Sequence, residues 1–124
     1  MVAKKAGRSG GRLWEGQGGV KKRIIISLKA DEDLDGQFAY LAQDNPEVGV
    51  RFLDATRHAF EQLSEMPGIG SPREFKNPRL SGVRVWPVPG FRNHLIFYQV
   101  TDEGVQVLRV LHAARDIPGL LEEE

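Results

Sequence analysis

The hydrophobic period of this 124-residue chain changes at Gly70, and that change limits what the chain can fold into. Before it, Leu34, Phe38, Leu41 and Ala42 recur at i, i+4, i+7 and i+8, and Phe52, Thr56, Ala59, Phe60 and Leu63 form a second stripe. Each stretch predicts a helix with one apolar face. Between them, Asn45 suits an N-cap, Pro46 the first helical position and Glu47 the first turn. The first helix is expected to end near Gln43 and the second by Met66-Pro67-Gly68, which makes an αα-hairpin. After Gly70, residues 71–82 read as a loop and residues 83–88, 94–101 and 105–111 as strands rich in β-branched and aromatic side chains. Asp102-Glu103-Gly104 is a compact turn that joins the last two as a hairpin. Residues 23–28 form a first strand, and Asp31, Glu32 and Asp33 stand where a helix N-terminus favours acids. The predicted order is β-α-α-β-β-β. This is an α+β fold with the helical hairpin packed on one face of a small antiparallel sheet.

The length suits one domain, since two separate cores would each be too small. Hydrophobic residues make up 40% and charged residues 27%, and mean hydropathy is -0.36. These values are ordinary for a globular domain, and no apolar run approaches a membrane span. With Cys at 0 there is no disulfide framework and no thiolate nucleophile or metal site. No apolar h-region follows the basic N-terminus, so a cytoplasmic protein is expected. Residues 1–21 are rich in glycine and scattered Lys and Arg, with Leu13 and Trp14 isolated, and are expected to be a disordered, dispensable tail. A start at Val20 is an alternative reading of the gene. The domain then spans residues 22–121, and residues 122–124 form an acidic end.

The formal net charge of +0 conceals a segregation of sign. Residues 1–23 carry seven bases and one acid, residues 24–72 three bases and nine acids, and residues 73–115 seven bases and three acids. The third block is both basic and strand-rich, so an acidic partner or a polyanion can dock there. The plainer alternative is a solvated surface that sorts its charges.

No strong enzyme motif is present. The glycines at 16, 18 and 19 lack the Gly-Lys-Ser/Thr ending of a phosphate loop. His58, His94 and His112 lack metal-ligand spacing, and His58 is expected to face solvent. No metal and no cofactor is expected. What stands out is a polar set within the strands: Arg84, Trp86, Arg92, His94, Tyr98, Arg109, His112 and Arg115. Alternation places Arg109 and Leu111 on one face and Leu108, Val110 and His112 on the other, while His94, Ile96, Tyr98 and Val100 share a face. With helices on one side only, the uncovered side is expected to display some of these groups. Ordinary solvent-facing roles, with Trp86 and Tyr98 partly in the core, are the plainer reading.

The run from Val83-Arg84-Val85-Trp86-Pro87 through Phe91-Arg92-Asn93-His94 to Phe97-Tyr98, with Val107-Leu108-Arg109-Val110-Leu111-His112-Ala113-Ala114-Arg115, resembles the RelE/ParE superfamily of toxins from type II toxin-antitoxin modules. Ala39-Tyr40-Leu41-Ala42-Gln43-Asp44-Asn45-Pro46 and Leu63-Ser64-Glu65-Met66-Pro67-Gly68-Ile69-Gly70 are similar to it as well. The resemblance extends over about residues 22–121 and rests on the segments in combination. It implies a plasmid-stabilisation type of toxin that arrests growth and is neutralised by a cognate, ParD-like antitoxin.

Members of the superfamily either cleave messenger RNA on the ribosome or poison DNA gyrase. The ribonuclease reading needs a base and several cations close together, and Arg84, Arg92, Tyr98, Arg109 and His112 are its candidates. Against it, no Lys follows Lys76 and nothing after His112 supplies a C-terminal aromatic. The departure favours the ParE-like branch, a gyrase poison without catalytic residues of its own. A decayed module protein that merely binds its former partner is a third reading. Contacts to antitoxin or target are expected at Arg84, Trp86, Arg92, His94, Arg109 and Arg115, with Arg84, Arg92 and Arg109 foremost because a guanidinium holds a carboxylate in bidentate geometry.

Overall fold

The computed structural model describes residues 5–6, 11–14 and 21–122. Strands β1 (Lys5–Ala6), β2 (Gly11–Trp14) and β3 (Ile24–Ile26) precede helices α1 (Leu28–Asp44) and α2 (Pro46–Glu65). Strands β4 (Ser71–Pro72), β5 (Arg84–Val88), β6 (Phe91–Thr101) and β7 (Gly104–His112) follow, then helix α3 (Ile117–Glu122). The strands form one sheet in the order β1-β2-β3-β7-β6-β5-β4. The helical hairpin and the β6–β7 hairpin lie where the hydrophobic periods place them. The sheet is mixed rather than purely antiparallel, because β3 runs parallel to β7. A parallel neighbour needs a long crossover, and the two helices are part of that connection.

One residue makes the helical joint. Asn45 closes α1 by donating its backbone N–H to the Leu41 carbonyl, and its side chain accepts from Glu47 N–H at 3.0 Å to open α2. Pro46 takes the first position, where its missing N–H costs nothing. The helices then meet closely at Gly49, where an added Cβ would come within 2.8 Å of the Ala42 Cβ. The expected stripe of α2 is buried, with Phe52, Ala59, Phe60 and Leu63 at 0% exposure. It packs with Ile24, Ile26, Ile96, Tyr98, Val105, Val107 and Val110 of the sheet.

The opposite face of the sheet is covered too, contrary to the expectation of one bare face. Leu80, Val83, Phe97, Leu111, Ile117 and Leu121 form a second, smaller cluster beneath residues 75–83 and α3. Ile96, Phe97 and Tyr98 are consequently all fully buried in succession. Alternation along β7 is also broken. Phe97 pairs with Arg109 and Tyr98 with Val107, so Leu108 is an extra residue in a β-bulge. The bulge sends Leu108 to the side of Leu111 rather than that of Val110.

The tail expectation fails at residues 11–14. β2 pairs antiparallel with β3, Trp14 is 2% exposed, and its ring meets Phe60 edge-on at 5.8 Å between centroids. Arg12 also holds Asp31 at 2.7 Å. Leu13 and Trp14 are too few for a periodic signal, so only pairing with β3 reveals them. The rest of the expected tail lies outside the described residues, apart from β1 and Lys21.

Candidate functional site

β3 covers only the first part of β7. Ser27 N–H donates to the Val107 carbonyl and Ser27 Oγ donates to that of Leu108 at 2.8 Å, and there the chain turns into α1. The same Oγ accepts from Ala30 N–H and caps the helix. Beyond this point side chains of α1 complete the ladder. Asp33 Oδ2 accepts from Val110 N–H at 3.0 Å, and Gln37 Nε2 donates to the Val110 carbonyl at 2.7 Å. Asp33 and Gln37 are one helical turn apart, so both reach the strand edge. Arg109 grips Asp33 with Nε at 2.8 Å and Nη2 at 2.9 Å in a bidentate pair.

Gln37 also orients His94. Its amide nitrogen is committed to Val110, so its oxygen accepts from His94 Nδ1 at 2.8 Å. That assigns the neutral His94 ring a proton on Nδ1 and a lone pair on Nε2. Across the β6–β7 pair, His112 is in the opposite tautomer, because its Nδ1 accepts from Ala114 N–H at 3.1 Å. The two rings stand nearly perpendicular with centroids 5.2 Å apart, and Phe52 and Phe91 pack on His94 at 5.0 and 6.1 Å. A groove of about 630 Å³ opens here, between Glu32, Gly36 and Tyr40 of α1 and His94, His112 and Arg115 at one end of the sheet.

Burial, then the like charge of a protonated His112, holds His94 below the ordinary histidine value. The unfolded chain therefore takes up a proton as pH falls through about 6.5, before the folded chain does. Stability should decline from that pH downward until the folded-state value is passed, and then level off. Urea titrations of wild type and His94→Gln between pH 7.5 and 5 check this. The variant should lose most of that decline, and an undiminished slope would assign it to other groups.

The predicted set divides on inspection. His94, His112 and the exposed Arg115 line the groove, and Arg92 lies exposed two residues before His94 in β6. Arg84 instead donates to the Gly70 carbonyl at 2.7 Å and to that of Gly68 at 3.2 Å. Trp86 donates to Gln62 at 3.0 Å. Tyr98 is fully buried, its hydroxyl donating to the Pro67 carbonyl at 2.6 Å and accepting from Gly70 N–H at 2.9 Å. Burial raises its pKa, so it stays protonated at neutral pH. Arg109 is occupied by Asp33. The five ribonuclease candidates are thus not brought together around an open site. His58 is exposed, as expected. Sequence reasoning missed Gln37 and Tyr40, although Tyr40 stands off the apolar stripe of α1 and is 73% exposed.

Among the described residues no group of three His, Asp or Glu side chains could hold a metal ion. The fold and groove define a small α+β domain in which a helical hairpin backs a sheet, with an open groove at one end. The sequence model described as the ParE toxin of type II toxin-antitoxin systems, parDE, matches residues 24–117, and the chain belongs to this family. It is 30% identical over 101 residues to the protein named "Putative toxin Y4kP" of Sinorhizobium fredii, covering 82% of this chain and 98% of the relative. A solved structure described as the chromosomal ParDE TA system from P. aeruginosa shares the fold, with a TM-score of 0.56 and 22% identity over 70% of this chain and 90% of that one.

Proposed function

We propose that this ParE-family toxin arrests growth in the cytoplasm by inhibiting DNA gyrase, and that a cognate antitoxin silences it by docking at the groove end of the sheet. Family membership is the observation that carries the reading, and it implies an antitoxin partner. No helix among the described residues is long and apolar enough to cross a membrane. The dispersal of the five ribonuclease candidates favours a binding toxin over a messenger-RNA nuclease. For the antitoxin, Arg92, His94 and Arg115 are the preferred contacts. Arg84 and Arg109 already spend their guanidinium groups within the chain.

The test follows supercoiling by gyrase and transcript integrity in parallel after induction. Supercoiling should fail while transcripts stay intact, and the neighbouring gene's product should restore it. Cleaved transcripts with normal supercoiling would establish the nuclease instead. Reversing Arg92 and Arg115 to Glu together should weaken the toxin-antitoxin complex by about tenfold or more, about 1.4 kcal/mol. Unchanged affinity would move the antitoxin site away from this end.

A further inference from the structure

The exposed sides of strands β5, β7 and β3 are covered by different devices. On one side β4 is two residues long, and Arg73 N–H continues its pairing to the Val83 carbonyl. Pro72 and Pro87 on that side have no N–H to offer another strand. Along β7 the open stretch is filled by Asp33 and Gln37. At β3 the cover is the N-terminal hairpin, and it precedes the region matched by the family.

That cover is built into the fold. Arg12, Leu13 and Trp14 stand opposite Ile26, Ile25 and Ile24, and β1 in turn pairs with β2. Trp14 seals Phe60, and Arg12 pairs with Asp31. At Gly11 the backbones approach so closely that a Cβ would run into the Ile26 carbonyl oxygen. Yet the seat is imperfect. Trp14 Nε1 is buried without an acceptor among the described residues, and such a group costs free energy.

We infer that the N-terminal hairpin is an edge guard, which occupies the outer side of β3 and prevents a second copy of the chain from pairing there. Ile24-Ile25-Ile26 is a β-branched strand whose outer backbone groups could pair with another strand if exposed. Antiparallel pairing of two such edges about a two-fold axis at Ile25 sets Ile24 against Ile26 of the second copy, an isologous contact. With Trp14 withdrawn, Phe60 adds apolar surface next to that contact.

The test uses the full chain carrying Gly11→Val, which unseats β2 and leaves residues 21–122 unaltered. A second protein lacks residues 1–19. Light scattering after size exclusion should show wild type at 13.9 kDa and both altered proteins at twice that mass or larger, increasing with concentration. Red-shifted tryptophan emission should accompany release of Trp14 in Gly11→Val. Adding Ile25→Lys to either protein places two cations face to face in the paired edge and should restore the monomer. Monomeric behaviour of the shortened chain would overturn the inference, as would association that Ile25→Lys leaves unchanged. Loss of far-UV circular dichroism in both proteins would also overturn it, because the hairpin would then be required for folding and not a guard.

Discussion

Phe60→Ala is expected to lower unfolding free energy by about 3–5 kcal/mol, the range for emptying a fully enclosed aromatic site. Phe60 is at 0% exposure and lies between the α2 backbone and the sheet, with Trp14 edge-on against its ring. Its neighbours Ile24, Ile26 and Leu63 belong to rigid elements and cannot collapse into the space. Urea unfolding should show a lower midpoint with an unchanged slope. His58→Ala on the exposed side of the same helix should stay within about 0.5 kcal/mol. Equal effects at the two positions would contradict the assigned helix face.

Asp33→Ala should cost about 3–5 kcal/mol, the range for breaking a buried ion pair by removing one partner. The side chains of Asp33 and Arg109 are only 14% and 12% exposed, so a guanidinium that has lost its carboxylate there has little water to replace it. The Val110 N–H loses its acceptor in the same variant. Arg109→Met should cost less than Asp33→Ala, because Asp33 keeps Val110. The double variant Asp33→Ala/Arg109→Met should recover part of the loss, since two apolar side chains leave no buried charge. A double-mutant cycle on urea midpoints measures the coupling. Additive single effects would mean that the pair contributes nothing of its own.

Both variants act on features that the sequence discloses unequally. Phe60 is legible, because a stripe at i, i+3, i+4 and i+7 needs no knowledge of what covers it. Asn45-Pro46 is legible for the same reason, since capping is chemistry within one turn. Asp33 is recognisable only as an acid in the first turn of a helix. Its bond to a strand 76 residues away in sequence has no local trace.

The site was disclosed in the same uneven way. Arg84, Arg92, Arg109 and Arg115 are equivalent as letters, and composition groups them as one basic block. The fold separates them, because β5 turns Arg84 toward the Gly68 and Gly70 carbonyls while the bulge at Leu108 and the first turns of α1 draw Arg109 to Asp33. Arg115 remains exposed at the groove, and Arg92 is exposed near the start of β6. The opposite tautomers of His94 and His112 likewise depend on partners from three elements and a turn.

The sequence by itself determined the helical hairpin, its buried stripe, the β6–β7 hairpin and the family. Each of these rests on periodicity, capping, turn chemistry or an ordered set of motifs, all written within short stretches of chain. The tertiary structure alone decided the parallel placement of β3, the seating of Trp14, the second cluster behind the sheet and the groove between α1 and the histidine pair. These depend on hydrogen bonds and burial between residues far apart in sequence, where a backbone group accepts whichever partner the packed fold brings to it.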